Sequence, residues 1–427
     1  MKRQHTIALA MILPLTFFFA TTGGKLQSCD TLPTWSTAVE LVLRGQCDLT
    51  RYVESPPEGR WQSLAAAGHF YCVRPSPTYS GWYSAYPAGT TVIALPVVAV
   101  CHSCGVNIES DRVLLRIEYW TAAFVAVVML ALFYLTVCQL ASPVTAAVTT
   151  LLLATGSVFL STLGQILWHQ DGVILAIFVV LHIELRKRGV VTRGGTIIQA
   201  LALAMAIACR PTSGLFAATF VLWVLARDRK RGVLLAMTTA VMFLPWIAYY
   251  YSLYRSVLGP AMSMANPLFW DWGEHVGSVL FSPGRGLFVY QPFLILLALY
   301  FVPRFGLGLE RWPRFWFAFV IAFVALHCFL IGSWNIWWGG HCYGSRLVAE
   351  TVPVLMLALV PIIERLLQRA GGWLLLSLIV LVSAGVHFAA IKGGGNSWNN
   401  IPNDIDRHPD RLWDWQDAPF LSLKRRP

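Results

Sequence analysis

From Tyr119 to Leu140 the chain runs without one charged residue, and 143–163 follows almost at once in the same manner. A stretch this long and this apolar crosses a bilayer as a helix. Further apolar runs lie at 6–22, 171–185, 196–209, 214–226, 233–251, 287–303, 315–332, 346–361 and 372–391, which makes about eleven spans. Composition agrees: of 427 residues 56% are hydrophobic and 12% charged, and the mean hydropathy is +0.60. A water-soluble chain of this length has no use for so much apolar surface. Lipid forces each backbone group to find its partner inside its own segment, so helices are the default. Alternation of period two, the mark of a membrane barrel, does not occur. The expected fold class is therefore all-α, a polytopic transmembrane helical protein.

The net charge of +11 would suit a nucleic-acid partner if it formed a patch. Instead the basic residues cluster at the ends of apolar runs, as in Arg186-Lys187-Arg188 and Arg227-Asp228-Arg229-Lys230-Arg231. That pattern anchors a membrane protein on its cytoplasmic side and excludes nucleic acid. Met1-Lys2-Arg3 and the run after it are read as an uncleaved first span with a cytoplasmic N-terminus, rather than as a cleaved leader.

Orientation then turns on the short run 88–103, which contains Pro96. Taken as an interfacial helix, it leaves four basic connections on the cytoplasmic side; taken as a span, it puts all four outside. The runs 196–209 and 214–226 are each too short to span comfortably. A hairpin turning at Arg210-Pro211-Thr212-Ser213-Gly214 keeps both flanking basic clusters on one side, whereas one long helix would separate them. The expected organisation is an integral membrane domain over 1–391, with a first outer loop at 23–118, a second at 252–286, and an outer tail at 392–427. Trp168–Asp171, Arg210–Gly214 and Trp334–Arg346 then share the outer face with these loops.

Several polar groups on that face could carry chemistry. Asp30 stands just past the first span, ahead of a short helix that Pro33 opens and Gly45 closes. It could serve as a general base, or simply cap that helix. Tyr86-Pro87 leads into the interfacial run. In Leu167-Trp168-His169-Gln170-Asp171-Gly172, Trp168 and His169 could wall a sugar site. Asp171 is either a second carboxylate of that site or the cap of the next helix, and the cap is preferred. Arg210 and Arg285, the latter set between Gly284 and Gly286, could grip a phosphate with paired N–H bonds. The aromatic, glycine-rich run Trp334–Arg346 suits a sugar or headgroup and contains Tyr343 and Arg346. No metal site is assigned. His169 with Asp171, or Glu274 with His275 in Trp270–His275, leaves room for a divalent cation. Six cysteines (Cys29, Cys47, Cys72, Cys101, Cys104 and Cys342) fall on the outer side, where disulfides are permitted but their pairing is open.

In order along 6–361, these elements resemble the membrane glycosyltransferases of the GT-C class, near the family 39 group of protein O-mannosyltransferases and lipid A aminoarabinose transferases. The resemblance is carried by Asp30-x-x-Pro33-Thr34, Leu41–Gly45, Tyr86-Pro87, Trp168-His169-Gln170-Asp171-Gly172, Arg210-Pro211-Thr212, Ser282-Pro283-Gly284-Arg285-Gly286-Leu287 and Trp338-Gly339-Gly340…Tyr343-Gly344-Ser345-Arg346. Two positions depart from that pattern: His169-Gln170 reverses the usual Gln-His order, and Ala85 stands where relatives often carry Lys. The resemblance implies a polyprenyl-phosphate sugar donor, transfer at the outer face, inversion at the sugar carbon, and Asp30 as base. It also implies that Arg210, Arg285 and Arg346 serve the donor phosphate. The acceptor would be a lipid, a glycan or a protein, and membrane lipids surround the whole. The rival reading is a transporter or flippase of a lipid-linked sugar. It calls for paired repeats and mid-span polar groups, which the sequence does not display.

Overall fold

The computed structural model describes residues 2–22, 28–68, 70–186, 191–257, 259, 272–302, 312–391 and 397–422. Lys187, Arg188, Arg304 and Arg311 of the basic connections, and Trp270 and Asp271 of the second loop, lie outside the described residues.

The apolar runs are helical, in agreement with the all-α expectation. In chain order the helices are α1 Lys2–Thr22, α2 Leu32–Arg44, α3 Thr50–Glu54, α4 Arg60–Ala66, α5 Gly89–Ser103, α6 Asp111–Leu140, α7 Pro143–Thr155, α8 His169–Glu184, α9 Arg193–Cys209, α10 Gly214–Arg227 and α11 Arg229–Tyr254. They continue with α12 Val276–Phe281, α13 Leu287–Tyr290, α14 Trp316–Gly332, α15 Val352–Leu367 and α16 Gly372–Ile391. Among the described residues four helices are long and apolar enough to cross a membrane: Asp111–Leu140, Arg229–Tyr254, Arg346–Leu367 and Gly372–Ile391. Six more apolar helices run 10–17 residues.

Some expected spans are less regular than their sequence. The run 143–163 breaks after Thr155 at Gly156-Ser157, where the Ser157 hydroxyl turns back onto the Leu153 carbonyl, and resumes as a π-turn over Phe159–Leu163. A hydroxyl that competes for helix carbonyls beside a glycine is a common cause of such a bend. The 287–303 run is a single α-turn followed by a 3-10 helix over Pro292–Phe301.

Burial separates inner helices from outer ones. The Arg346–Leu367 segment is 94% enclosed, whereas Arg229–Tyr254 and Gly372–Ile391 are only 17% and 22% enclosed. Leu374, Leu378 and Leu381 point outward. Such an exposed apolar helix has the composition of a lipid-facing surface.

Antiparallel packing sorts the helix ends into two sets. At one end Glu184 of α8 meets Arg227 of α10 at 2.9 Å and Arg231 of α11 at 3.1 Å, with Gln199 of α9 at 3.1 Å. At the other end the Tyr250 hydroxyl of α11 accepts from Ala88 N at 3.0 Å and donates to the Ala208 carbonyl at 3.4 Å. Helices α9 and α10 therefore form a hairpin that turns at Arg210–Ser213, the arrangement expected from their flanking charges. Two glycines let this second end close. A Cβ on Gly89 would lie 2.4 Å from Cys209 N, and one on Gly172 would lie 2.5 Å from Cys209 Sγ.

The first loop folds over the same end with a small core of its own, made by Leu32, Leu49, Tyr52, Trp61, Leu64, Cys72 and Val73. It contains an element that the sequence did not announce, a two-stranded antiparallel hairpin of Val73–Pro75 with Trp82–Ser84. Arg60 fastens the loop to α6, donating to Asp111 at 3.0 Å and to Glu118 at 3.1 Å. Helix α2 starts and stops as expected, with Pro33 in its first turn and Gly45 at φ 66° closing it.

Candidate functional site

Asp30 sits in the bend between α1 and α2, half-buried at 27% side-chain exposure. The short hairpin explains its partners. Its strands bring residues 71 and 86 side by side (Ala85 N donates to the Cys72 carbonyl at 2.9 Å), and both tyrosines then point at one carboxylate oxygen. Tyr86 donates to Asp30 Oδ1 at 2.9 Å and Tyr71 to the same atom at 3.2 Å. Burial first, and then the Asp30 charge, push both hydroxyls above the ordinary phenol range. They remain protonated donors throughout the neutral range.

The other carboxylate oxygen faces a cation. Arg346 Nη1 stands 3.5 Å from Asp30 Oδ2. Its guanidinium lies 4.2 Å above the Trp168 ring and donates to the Gly339 carbonyl at 2.9 Å. Tyr86 in turn stacks on His169 with ring centroids 5.2 Å apart, and Thr90 pairs with His169 Nδ1 at 3.0 Å. Five expected site residues, Asp30, Tyr86, Trp168, His169 and Arg346, thus converge from four separate segments. His169, rather than Gln170, is the residue stacked against Tyr86.

Three polar atoms of this group are buried without a hydrogen-bond partner among the described residues: Trp168 Nε1, His169 Nε2 and Arg346 Nε. Each such atom costs about 1–3 kcal/mol if nothing meets it. Clustered polar atoms of this kind, two of them donors and His169 Nε2 a donor or an acceptor according to tautomer, suit the polar groups of a ligand or water.

Other expected members take different places. Asp171 accepts the Trp168 backbone N–H at 2.8 Å and returns its own N–H to the Trp168 carbonyl at 3.1 Å, so it caps α8. Arg210 is paired at 2.6 Å with buried Glu350 and also donates to the Leu347 carbonyl at 3.0 Å. It lies within electrostatic reach of His169, but its charge is already answered. Arg285 lines a narrow cavity together with Arg346, Trp337 and Trp338. It is spent on the Trp338, Gly284 and Gly340 carbonyls and on Asn399 at 2.7 Å. Tyr343 donates to the Val386 carbonyl and packs against Tyr290, which makes it part of the bundle core.

Among the described residues neither suggested cation pair is part of a group of three or more metal-ligating side chains. His169 is engaged by Thr90 and Tyr86, and His275 stacks on Trp337 at 6.1 Å. All nine cysteines are free thiols, so none of the six considered for disulfides is bridged.

Sequence reasoning missed Tyr71 and Glu350. Tyr71 belongs to an aromatic–cysteine run that carries no period, and only the hairpin aims it at Asp30. Glu350 lies four residues past Arg346 in an apolar run, where a lone carboxylate signals a buried cation partner. No family model, no curated protein and no solved structure matches the chain.

Proposed function

We propose that the chain is an inverting membrane glycosyltransferase that moves a hexosyl or pentosyl group from a polyprenyl-phosphate donor to a lipid, glycan or protein acceptor. The observation that carries this reading is the half-buried Asp30 carboxylate, set by two tyrosine donors opposite Arg346, beside a wall of Trp168 and His169 whose Nε1 and Nε2 atoms meet no partner among the described residues. An acceptor hydroxyl that gives its proton to Asp30 attacks the sugar C1. The bond from C1 to the phosphate oxygen breaks, and the lipid phosphate leaves with the electron pair. Arg346 receives that developing charge, as preorganised cations do in phosphate-departing reactions. Without substrate, Asp30 and Arg346 serve as each other's counter-ion. Indole and imidazole faces suit the apolar faces of a sugar ring, and their unpartnered ring nitrogens suit its hydroxyls, which both donate and accept.

In this reading the chain crosses a cell membrane, in bacteria the inner membrane, about eleven times with a cytoplasmic N-terminus. The site faces the outside or periplasm, because the basic connections gather at the opposite helix ends.

Purified protein incubated with polyprenyl-phosphate sugars tests the reading, comparing wild type with Asp30→Asn. Transfer should fall about 10²–10⁴-fold, the range for losing a general base. Full transfer by the Asn variant would remove Asp30 from the mechanism, and transbilayer movement of the donor without transfer would favour a flippase. Orientation is read from native Cys104, which is exposed at the end of α5 and should react with an impermeant thiol reagent from outside intact cells.

A further inference from the structure

After the last long helix the chain folds back onto the loop that precedes Arg346. Arg411 lies 4.4 Å over the Trp398 ring and holds the Trp398 and Ile401 carbonyls at 3.1 and 2.9 Å. The Leu412 carbonyl accepts from Ser282 Oγ at 2.6 Å and from Gly284 N at 3.0 Å, and Asn399 donates to the Cys342 carbonyl at 3.2 Å. This docking delivers two carboxylates of the tail, Asp404 and Asp406, to the imidazole of His341.

His341 Nε2 stands 3.2 Å from Asp404 Oδ1 and 3.5 Å from Asp406 Oδ2, and the ligand atoms of all three residues lie within 4.8 Å of one another. Around a cation with bonds of about 2.0–2.2 Å, two ligand atoms at the tetrahedral angle are about 3.4 Å apart. Two edges of the triangle already have that spacing, and the third is within 4.8 Å. The outer lone pairs are held from behind. Trp338 Nε1 donates to Asp406 Oδ1 at 2.8 Å, and Asp406 N donates to Asp404 Oδ1 at 2.8 Å. Such outer contacts orient ligands at metal sites. Two carboxylates converge on this imidazole, and Arg407 is the other cation within electrostatic reach of Asp404.

From this geometry we infer that His341, Asp404 and Asp406 form a divalent-cation site. One imidazole with two carboxylates suits Zn²⁺ or Mn²⁺ better than Mg²⁺ or Ca²⁺, which favour all-oxygen sets. Bound there, the cation ties the tail to a loop whose Gly339 carbonyl holds Arg346 and whose Gly340 carbonyl holds Arg285. Its role is to fix the position of those two arginines. Cation binding itself does not depend on the glycosyltransferase reading.

The test strips the purified full-length protein with a chelator and titrates it with Mn²⁺, followed by electron paramagnetic resonance, and with Zn²⁺, followed by thermal unfolding. One equivalent should bind, and Zn²⁺ should raise the unfolding temperature. The double variant Asp404→Asn/Asp406→Asn should lose both effects, and Asp410→Asn, an acid of the same tail, should keep them. Trp338→Phe should weaken binding about tenfold, as loss of an outer contact does. Wild-type behaviour of the double variant would overturn the inference. A second readout needs no variant: the bound Mn²⁺ should show nitrogen hyperfine coupling from one imidazole, and its absence would also overturn the site.

Discussion

Two of the arginine–carboxylate groups, those of Glu184 and Asp30, stand at opposite ends of this helical bundle, and they are built differently. At one end Glu184, with 1% of its side chain exposed, has both oxygens occupied by Arg227, Arg231 and Gln199. Arg227 also lies 4.6 Å over the Trp223 ring, and only Arg231 Nε is left over there. At the other end Asp30 is 27% exposed, its contact with Arg346 is looser at 3.5 Å, and three neighbouring polar atoms have no partner among the described residues. A saturated network fixes four helices against one another. An unsaturated one keeps polar valences for something that arrives later. The same residue types thus lock one end of the molecule and leave the other ready for a ligand.

The largest expected effect lies at the locked end. Glu184→Ala leaves Arg227 and Arg231, 26% and 14% exposed, without their shared counter-charge, a loss of about 3 kcal/mol, the upper end for unmet charged partners that water reaches in part. Thermal unfolding in detergent should show it, while transfer per folded molecule should hold near wild type. The comparison fails if this variant instead melts normally and loses activity. At the open end the pattern should invert. Arg346→Lys keeps a charge but cannot reproduce the planar fork, and should lower transfer about 10²–10³-fold with little change in unfolding temperature. Steady-state rates on folded protein distinguish the two outcomes.

These contrasts also explain what could be read in the sequence. The helical character of the apolar runs, the hairpin at Arg210–Gly214, the Pro33–Gly45 helix and the Asp171 cap follow from local rules of hydropathy, charge placement and capping, all of which act within a few residues. The convergence of Asp30, Trp168, His169 and Arg346 was legible only as a set of residues on one face. Their contacts depend on how separate helices stack. Arg285 shows the limit: an arginine between glycines can approach a ligand, but the sequence does not reveal that the Trp338 and Gly340 carbonyls and Asn399 already claim it. Tyr71, Glu350, Asp404 and Asp406 escaped notice because their partners lie roughly 40 to 140 positions away. Three-residue strands such as 73–75 are too short to show alternation.

A smaller effect tests how rigid the open end is. Gly172→Ala places a methyl 2.5 Å from Cys209 Sγ and 2.9 Å from Ile93 Cδ1, an overpacking worth about 1–3 kcal/mol. Because Trp168 and His169 lie just before Gly172, the shift should also weaken donor binding. A raised KM together with a lower unfolding temperature is the expected signature. If KM stays at the wild-type value, the aromatic wall does not depend on this packing.

The smallest effect comes from a third group, on the surface, where Glu109 accepts from Arg51 at 2.9 Å and from Arg44 at 3.2 Å. Hydrogen bonds from Arg51 and then Arg44 hold its carboxyl below the usual carboxylate range. A carboxyl whose folded value is depressed stabilises the protein above its unfolded value, about 4.3 for Glu, and loses that contribution as pH falls through the folded value. With Glu109 49% exposed, solvent and salt reduce the contribution to a few tenths of a kcal/mol. Glu109→Gln should therefore lower the unfolding temperature slightly at pH 7 and progressively less as the pH falls below the unfolded value, and added salt should erase the difference. A large loss at pH 7 would mean that exposure does not rank these three groups, and the contrast between the Glu184 and Asp30 ends would need another cause than how completely each charge is met.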